Sequence, residues 1–256
     1  MAMVDSHTHL GSCDESPARL VEEAHEAGVE RIVTIGCGQR SSEEAVAFCD
    51  EFECVYAAIG VHPNDADHFR RSDESWIGEF AQHPKVVGVG ECGLDYYRDH
   101  ARPDAQRRAF VAQIGLAREL GLPIVVHTRE ADDDTLDILA REAGDHPVIL
   151  HCFSMVTKVD VVVERGYMTS FAGQLTYKSA VDLQEAARRI PPEHLLVETD
   201  APYLSPVPRR GKPNRPANVQ YTVEFLANLR DEDPDEVAAL TSANARRIFG
   251  WTESGG

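Results

Sequence analysis

The chain has 256 residues, 43 of them Asp or Glu against 25 Lys or Arg, a formal net charge of −18, and 43% are hydrophobic. That composition suits a globular protein with a sizeable core and excludes a disordered chain, while no apolar run approaches the roughly 20 residues that a bilayer-spanning helix needs. The acidic balance excludes a basic nucleic-acid arm, and six scattered cysteines without a CxxC pair exclude a disulfide-stapled miniprotein.

Several expectations follow from the same counts. MAMVDSHTHL has neither a basic nor an apolar leader region, so the expected compartment is the cytoplasm, with the thiols reduced. Only Lys85, Lys158, Lys178 and Lys212 are lysines. A lysine-poor, strongly acidic surface suits molar salt, where the Debye length falls to about 3 Å and self-repulsion is screened. A halophilic host is therefore expected, the alternative being an acidic protein of a mesophile.

Along the chain one beat repeats. An apolar stretch opens at Met3 and Val4, and a helix follows over 17–27, with Ser16 as N-cap, Pro17 at the first helical position and Gly28 as its stop. Then come a strand at 31–36 (RIVTIG), a helix at 42–52, a strand at 55–60 (VYAAIG) and a helix at 74–82. A strand at 86–91 (VVGVGE) precedes a helix at 103–120, and a strand at 123–127 (PIVVH) precedes a helix at 131–143. The last part holds strands at 147–151 (PVILH), 167–171 and 195–200 (LLVETD), with helices at 157–165, 180–189, 217–229 and 234–249. The strands carry Val and Ile on both faces, as parallel strands covered by helices do. Eight strands give about 32 residues per βα unit, and nothing interrupts the series. The expected fold is α/β, a single (β/α)8 or TIM barrel over residues 1–251, with a short tail at 252–256.

Barrel enzymes carry their chemistry at the C-terminal ends of the strands. There the sequence places His7 and His9, then Glu91, His127, His151 and Asp200, from five different strands. Imidazole with carboxylate suits Zn2+, Mn2+ or Fe2+, and carboxylates also accept Mg2+. A His-x-His pair alone is weak evidence, since residues i and i+2 share a strand face in any protein, and a lone buried Glu or His is usually a hydrogen-bonded core group. Six together are too many for one catalytic metal with an open position and enough for two sharing a bridging carboxylate.

DSHTHL (5–10), GVHP (60–63), GECGLDYYRD (90–99), IVVHTREADDDTL (124–136), HCFS (151–154), LLVETDAPYLSPVP (195–208) and ANARRIFG (243–250) together resemble the TatD family of metal-dependent deoxyribonucleases, within the amidohydrolase-like barrels. The resemblance spans nearly the whole chain. It implies that His7, His9 and Asp200 hold one metal, that Glu91 bridges, and that His127 and His151 hold the second. It also implies 3′-end exonuclease activity on DNA. The chain departs from the family pattern at Asn64, at Met155 and in a short segment 11–16, positions that bear on substrate size.

No nucleophile elbow or Walker loop is present; Gly36-Cys37-Gly38 lacks the lysine and the spacing. The expected attacking group is a water activated by the two divalent ions (Mg2+, Mn2+ or Zn2+), with Asp200 as its general base and Glu91 the second catalytic carboxylate. Cys152 is expected to face away as a packed thiol if its strand continues. His62, Arg129 and Tyr96 are the candidate substrate contacts; Tyr96 and Tyr97 could stack on a base or, the preferred reading, cover the top of the barrel, and Arg209, Arg210, Lys212 and Arg215 add local positive charge. Arg129 could instead pair with Glu130 or Asp132. Single-stranded DNA or its 3′ ends is the expected substrate, acted on by a monomer that engages no membrane. An end-directed mode is favoured, because gripping one terminal nucleotide needs few salt-sensitive phosphate contacts. The alternative is hydrolysis of an ester, lactone, aminoacyl-tRNA linkage or amide at the same site. A non-catalytic metal-binding protein would be indicated only by missing ligands.

Overall fold

The computed structural model describes residues 1–98 and 100–251, and the expected tail at 252–256 lies outside them. In chain order the elements are β1 (Met3–Thr8), α1 (Pro17–Glu26), β2 (Val29–Gly36), α2 (Gln39–Glu51), β3 (Val55–Ile59), α3 (Arg71–Phe80), β4 (Val86–Asp95), α4 (Pro103–Leu120), β5 (Ile124–Arg129), α5 (Asp132–Glu142), β6 (Val148–Leu150), α6 (Val159–Glu164), β7 (Met168–Phe171), α7 (Val181–Arg189), β8 (Leu195–Val197), α8 (Val219–Arg230) and α9 (Pro234–Ile248). Among the described residues the strands form one parallel sheet in sequential order from β1 to β8. The expected (β/α)8 barrel is the fold.

β8 meets β1 through side chains and through the residues that follow it. Asp5 accepts from the Thr199 amide (2.9 Å) and hydroxyl (2.6 Å), and Ser6 Oγ donates to Val197 O (2.9 Å). The Asp200 amide donates to His7 O at 2.9 Å and the His9 amide to Ala201 O at 2.8 Å. The seam therefore joins the two segments that carry the HxH and ETD motifs.

The lumen is filled by apolar residues from every strand: Val4, Val33 and Ile35, Ala58, Val87, Val125, Ile149, Met168 and Leu196. Side chains two residues apart share a strand face, so His127, His151 and Glu198 stand above Val125, Ile149 and Leu196 at the top of the same lumen. At the bottom, Ala245 and Phe249 join the lumen cluster, with Ile248 and Trp251 packed against it. The Arg31 guanidinium lies 4.8 Å from the Trp251 ring centre and 5.4 Å from that of Tyr56. One end of the barrel is thus plugged and the other left to chemistry. Outside, strand residues such as Ile32, Ile59 and Ile124 pack on helix residues such as Leu20, Phe110 and Ile114.

The element ends show where local sequence misleads. Ser16 caps α1, accepting from the Arg19 amide, with Pro17 at the first turn, as expected. β4 does not stop at Glu91 but runs on to Asp95, paired with β5. Gly93 makes this possible at φ +137°, where a Cβ would lie 2.1 Å from His127 O. β6 and β8 stop short of their expected ends, so His151 and Asp200 sit in turns just beyond them.

Candidate metal centre

Glu91 stands at the middle of the barrel mouth, 3% exposed. Its Oε2 faces His7 Nε2 at 3.6 Å and His9 Nε2 at 3.7 Å. Its Oε1 faces His127 Nδ1 at 2.7 Å and His151 Nε2 at 2.9 Å. Asp200 Oδ1 completes the first group, 3.3 Å from His9 Nε2 and 3.9 Å from His7 Nε2. The six residues expected at strand ends therefore converge, one carboxylate oxygen turned to each imidazole pair. His7 and His151 lie ring on ring, their centres 3.9 Å apart.

The donor set fits a divalent cation. Ligands bound at about 2.1 Å around one ion stand roughly 3.0–3.4 Å from one another, close to the spacings of both groups. Both ring nitrogens of His7, which is 1% exposed, lack a hydrogen-bond partner. An unpartnered buried polar group is costly unless something fills its lone pair. Burial also holds the His7 imidazole below its ordinary pKa, which keeps that lone pair free of a proton. Burial alone would push the Glu91 carboxyl up, but His151, His62 and His127 outweigh it and hold it well below the usual range. At Asp200 the burial penalty is likewise outweighed, chiefly by His9. Both carboxylates are ionised at neutral pH. Cys152 and Asp200 adopt φ values of +46° and +53°, a left-handed backbone that non-glycine residues hold only when their surroundings enforce it.

Four groups that sequence reasoning passed over surround this centre. Glu198 is fully buried, and its Oε1 accepts from the Cys152 amide (2.8 Å) and lies 3.3 Å from His151 Nδ1. Asp95 Oδ2 lies 3.4 Å from His127 Nε2. Each thus stands behind one histidine of the second pair, on the nitrogen turned away from Glu91, as carboxylates behind metal-bound histidines do. Cys37 donates its thiol toward Glu91 Oε2 at 3.6 Å. Tyr203 lines the mouth beside Asp200. A signal for Glu198 was present, since it is a second carboxylate at the end of the LLVETD run, two residues before Asp200.

α4 sets the rim. Its buried Gln113 accepts from the Val61 amide (2.7 Å) and donates to Val61 O (3.0 Å), which fixes the turn carrying His62. Gln106, two turns earlier, does the same for Asp95, at 2.8 and 3.0 Å.

The mouth is a cavity of about 500 Å³. His62 lines it, with Nε2 3.5 Å from Glu91 Oε1 and Nδ1 accepting from the Asn64 amide. Arg129 lines it too, its guanidinium 3.8 Å from the Tyr97 ring centre. Among the described residues it makes no ion pair with Glu130 or Asp132. Tyr96 is a correction: it packs against the core beneath the rim, its hydroxyl donates to Asp134 at 2.6 Å, and it does not line the mouth. Its neighbour Tyr97 is exposed and carries the Arg129 guanidinium over its ring. Cys152 is a second correction. Because β6 ends at Leu150 and the chain turns left-handed, Cys152 lines the mouth, where its sulfur accepts from Gln174. Arg215 is tied to Glu23 and Glu15, whereas Arg210 stacks on Tyr177 at 4.0 Å.

A family model described as TatD related DNase matches residues 4–250. An uncharacterized metal-dependent hydrolase of Mycobacterium tuberculosis, named TatD, is 41% identical over 97% of this chain and 98% of its own. The 3′-5′ ssDNA/RNA exonuclease TatD of Escherichia coli K12 is 35% identical over 89% of this chain and 90% of its own. The crystal structure of YjjV, a TatD homologue of the same organism, matches with a TM-score of 0.91 at 28% identity and covers 98% of each chain. From barrel to strand-end motifs, this chain belongs to the TatD family of metal-dependent hydrolases.

Proposed function

We propose that the protein is a phosphodiesterase that removes nucleotides from the 3′ ends of single-stranded DNA, with two divalent cations resident in the mouth. The observation that carries this reading is Glu91, whose two oxygens each face a separate imidazole pair. His7, His9, Asp200 and Glu91 would hold one ion, and Glu91, His127 and His151 the other. When bound, Mg2+, Mn2+ or Zn2+ would supply Lewis acidity at the phosphoryl oxygens and acidify the attacking water. Asp200 takes a proton from the attacking water on Oδ2, the oxygen not turned to the imidazoles, and His9, 3.3 Å from Oδ1, orients the carboxylate. His62, its Nε2 directed into the mouth, contacts the departing side of the phosphate. Arg129 neutralises a neighbouring phosphate. The relative named as a 3′-5′ ssDNA/RNA exonuclease supports the substrate and the direction. Few phosphate contacts suffice for a strand end, which suits a chain of net charge −18.

We further read the protein as a cytoplasmic monomer from a halophilic host. The cysteines are free, and no helix among the described residues is long and apolar enough to cross a membrane.

The test is a gel assay on 5′-labelled single-stranded DNA in high KCl with Mg2+, Mn2+ or EDTA. We expect a metal-dependent ladder shortening from the 3′ end, reduced about 10²- to 10⁴-fold in Asp200→Asn, the usual worth of a positioned base. Intact DNA under every metal would overturn the phosphodiesterase reading and direct the search to esters and amides.

A further inference from the structure

Six large hydrophobic side chains stand exposed among the described residues; of the two aromatic ones, Tyr203 lines the barrel mouth and Tyr97 packs against Arg129 at its rim. They are not equivalent. The Tyr97 face is already occupied, with the Arg129 guanidinium at 3.8 Å. Tyr203 is 57% exposed and meets protein aromatics only edge-on, its ring centre 6.0 Å from that of His9 at an interplanar angle of 73°. Its backbone is held firmly. The Tyr203 amide donates to Asp200 O at 2.8 Å, and its carbonyl accepts from Asn214 Nδ2 at 2.7 Å. Asn214, 1% exposed, also binds Thr199 O. An aromatic ring on a held backbone is thus presented to solvent three residues from Asp200, after β8 and across the strand order from Arg98 and Arg129, which line the mouth after β4 and at the end of β5.

We infer that Tyr203 is the stacking platform for the terminal base of the strand, with Arg129, steadied by Tyr97, taking a phosphate across the mouth. This rests on the phosphodiesterase reading and narrows its substrate class. Every base has a π-face, so a stack reads no sequence, but it requires a base that is present and unpaired. A paired terminal base is already stacked in its duplex and cannot reach the ring without melting. The substrate is therefore a base-bearing, single-stranded 3′ end. An abasic end or a blunt duplex end is a poor one.

The experiment compares two 5′-labelled single strands that differ only in the 3′-terminal residue, a normal nucleotide or an abasic analogue, on the Mg2+-loaded enzyme. In the wild type, loss of the base is expected to lower kcat/KM about 10- to 100-fold, the scale of one base–aromatic stack. Tyr203→Ala should lose a similar factor on the base-bearing end and almost nothing on the abasic end, while Tyr203→Phe should retain wild-type preference. Arg129→Ala should weaken both substrates alike, because both carry the phosphate. Equal loss on both ends in Tyr203→Ala, or no loss, overturns the inference while leaving the phosphodiesterase reading intact. If the wild type trims neither strand, the reading beneath it fails, and binding decides the inference separately. A strand with 3′-terminal 2-aminopurine and a phosphorothioate at its last linkage should be quenched by the wild type and by Tyr203→Phe, but not by Tyr203→Ala. Equal fluorescence with all three overturns the inference.

Discussion

Glu198 acts on the centre from behind: its Oε1 lies 3.3 Å from His151 Nδ1 and accepts from the Cys152 amide, while His151 Nε2 points at Glu91. A carboxylate in that position fixes which imidazole nitrogen carries the proton and raises the basicity of the other. Glu198→Gln keeps the shape and removes the charge. Its affinity for Mn2+ is expected to fall about 10- to 100-fold, read by calorimetry, with the circular dichroism spectrum unchanged. Unchanged affinity would mean that the Cys152 amide is the only partner that matters to Glu198. His151, Glu91 and Asp200 were legible in the sequence as polar residues ending apolar runs. Asp95 was not, and Glu198 only as a second carboxylate at the end of LLVETD, because nothing local distinguishes a carboxylate that meets a cation from one that meets a histidine.

Between elements, Tyr96 ties the end of β4 to α5. Its hydroxyl donates to Asp134, which also pairs with Arg107 of α4 at 2.6 Å. Burial and the Asp134 carboxylate push the Tyr96 phenol up to about 12. The unfolded phenol titrates near 10, so the protonated form favours the fold. That contribution is present in full below pH 10 and is lost as pH rises from about 10 to 12. Tyr96→Phe should cost about 1 kcal/mol at pH 8, and the gap from the wild type should close by pH 12, measured by urea unfolding. A gap that stays constant across that range would place its origin in packing instead. The same elements show how far periodicity reads. The predicted helix at 103–120 matches α4 at both ends, because Pro103 and Gly121 bound it locally. β4 outran its predicted end because its continuation depends on Gly93 fitting against His127 O in another strand.

At the scale of the molecule, a net charge of −18 on 256 residues sets the response to salt. Ionic strength shortens the Debye length from about 10 Å at 0.1 M to about 3 Å at 1 M, which relieves self-repulsion between surface carboxylates. The melting temperature is therefore expected to rise by several degrees between 0.1 and 2 M KCl, followed by calorimetry. A fall over that range would rule out the halophilic reading.

The sequence by itself determined the beat of strands and helices, the eight-stranded parallel barrel and the identity of the six residues at its mouth. Each of these is encoded within one segment: apolar runs of strand length, Pro and Gly at helix ends, a polar side chain where the run stops. Only the tertiary structure decided which Glu91 oxygen faces which pair, that Cys152 and Asp200 turn left-handed into the mouth, and that Tyr203, not Tyr96, lines it. Those outcomes depend on the seam where Thr199 binds Asp5 and on turns clamped from α4, contacts between residues as many as 194 positions apart that no local pattern announces.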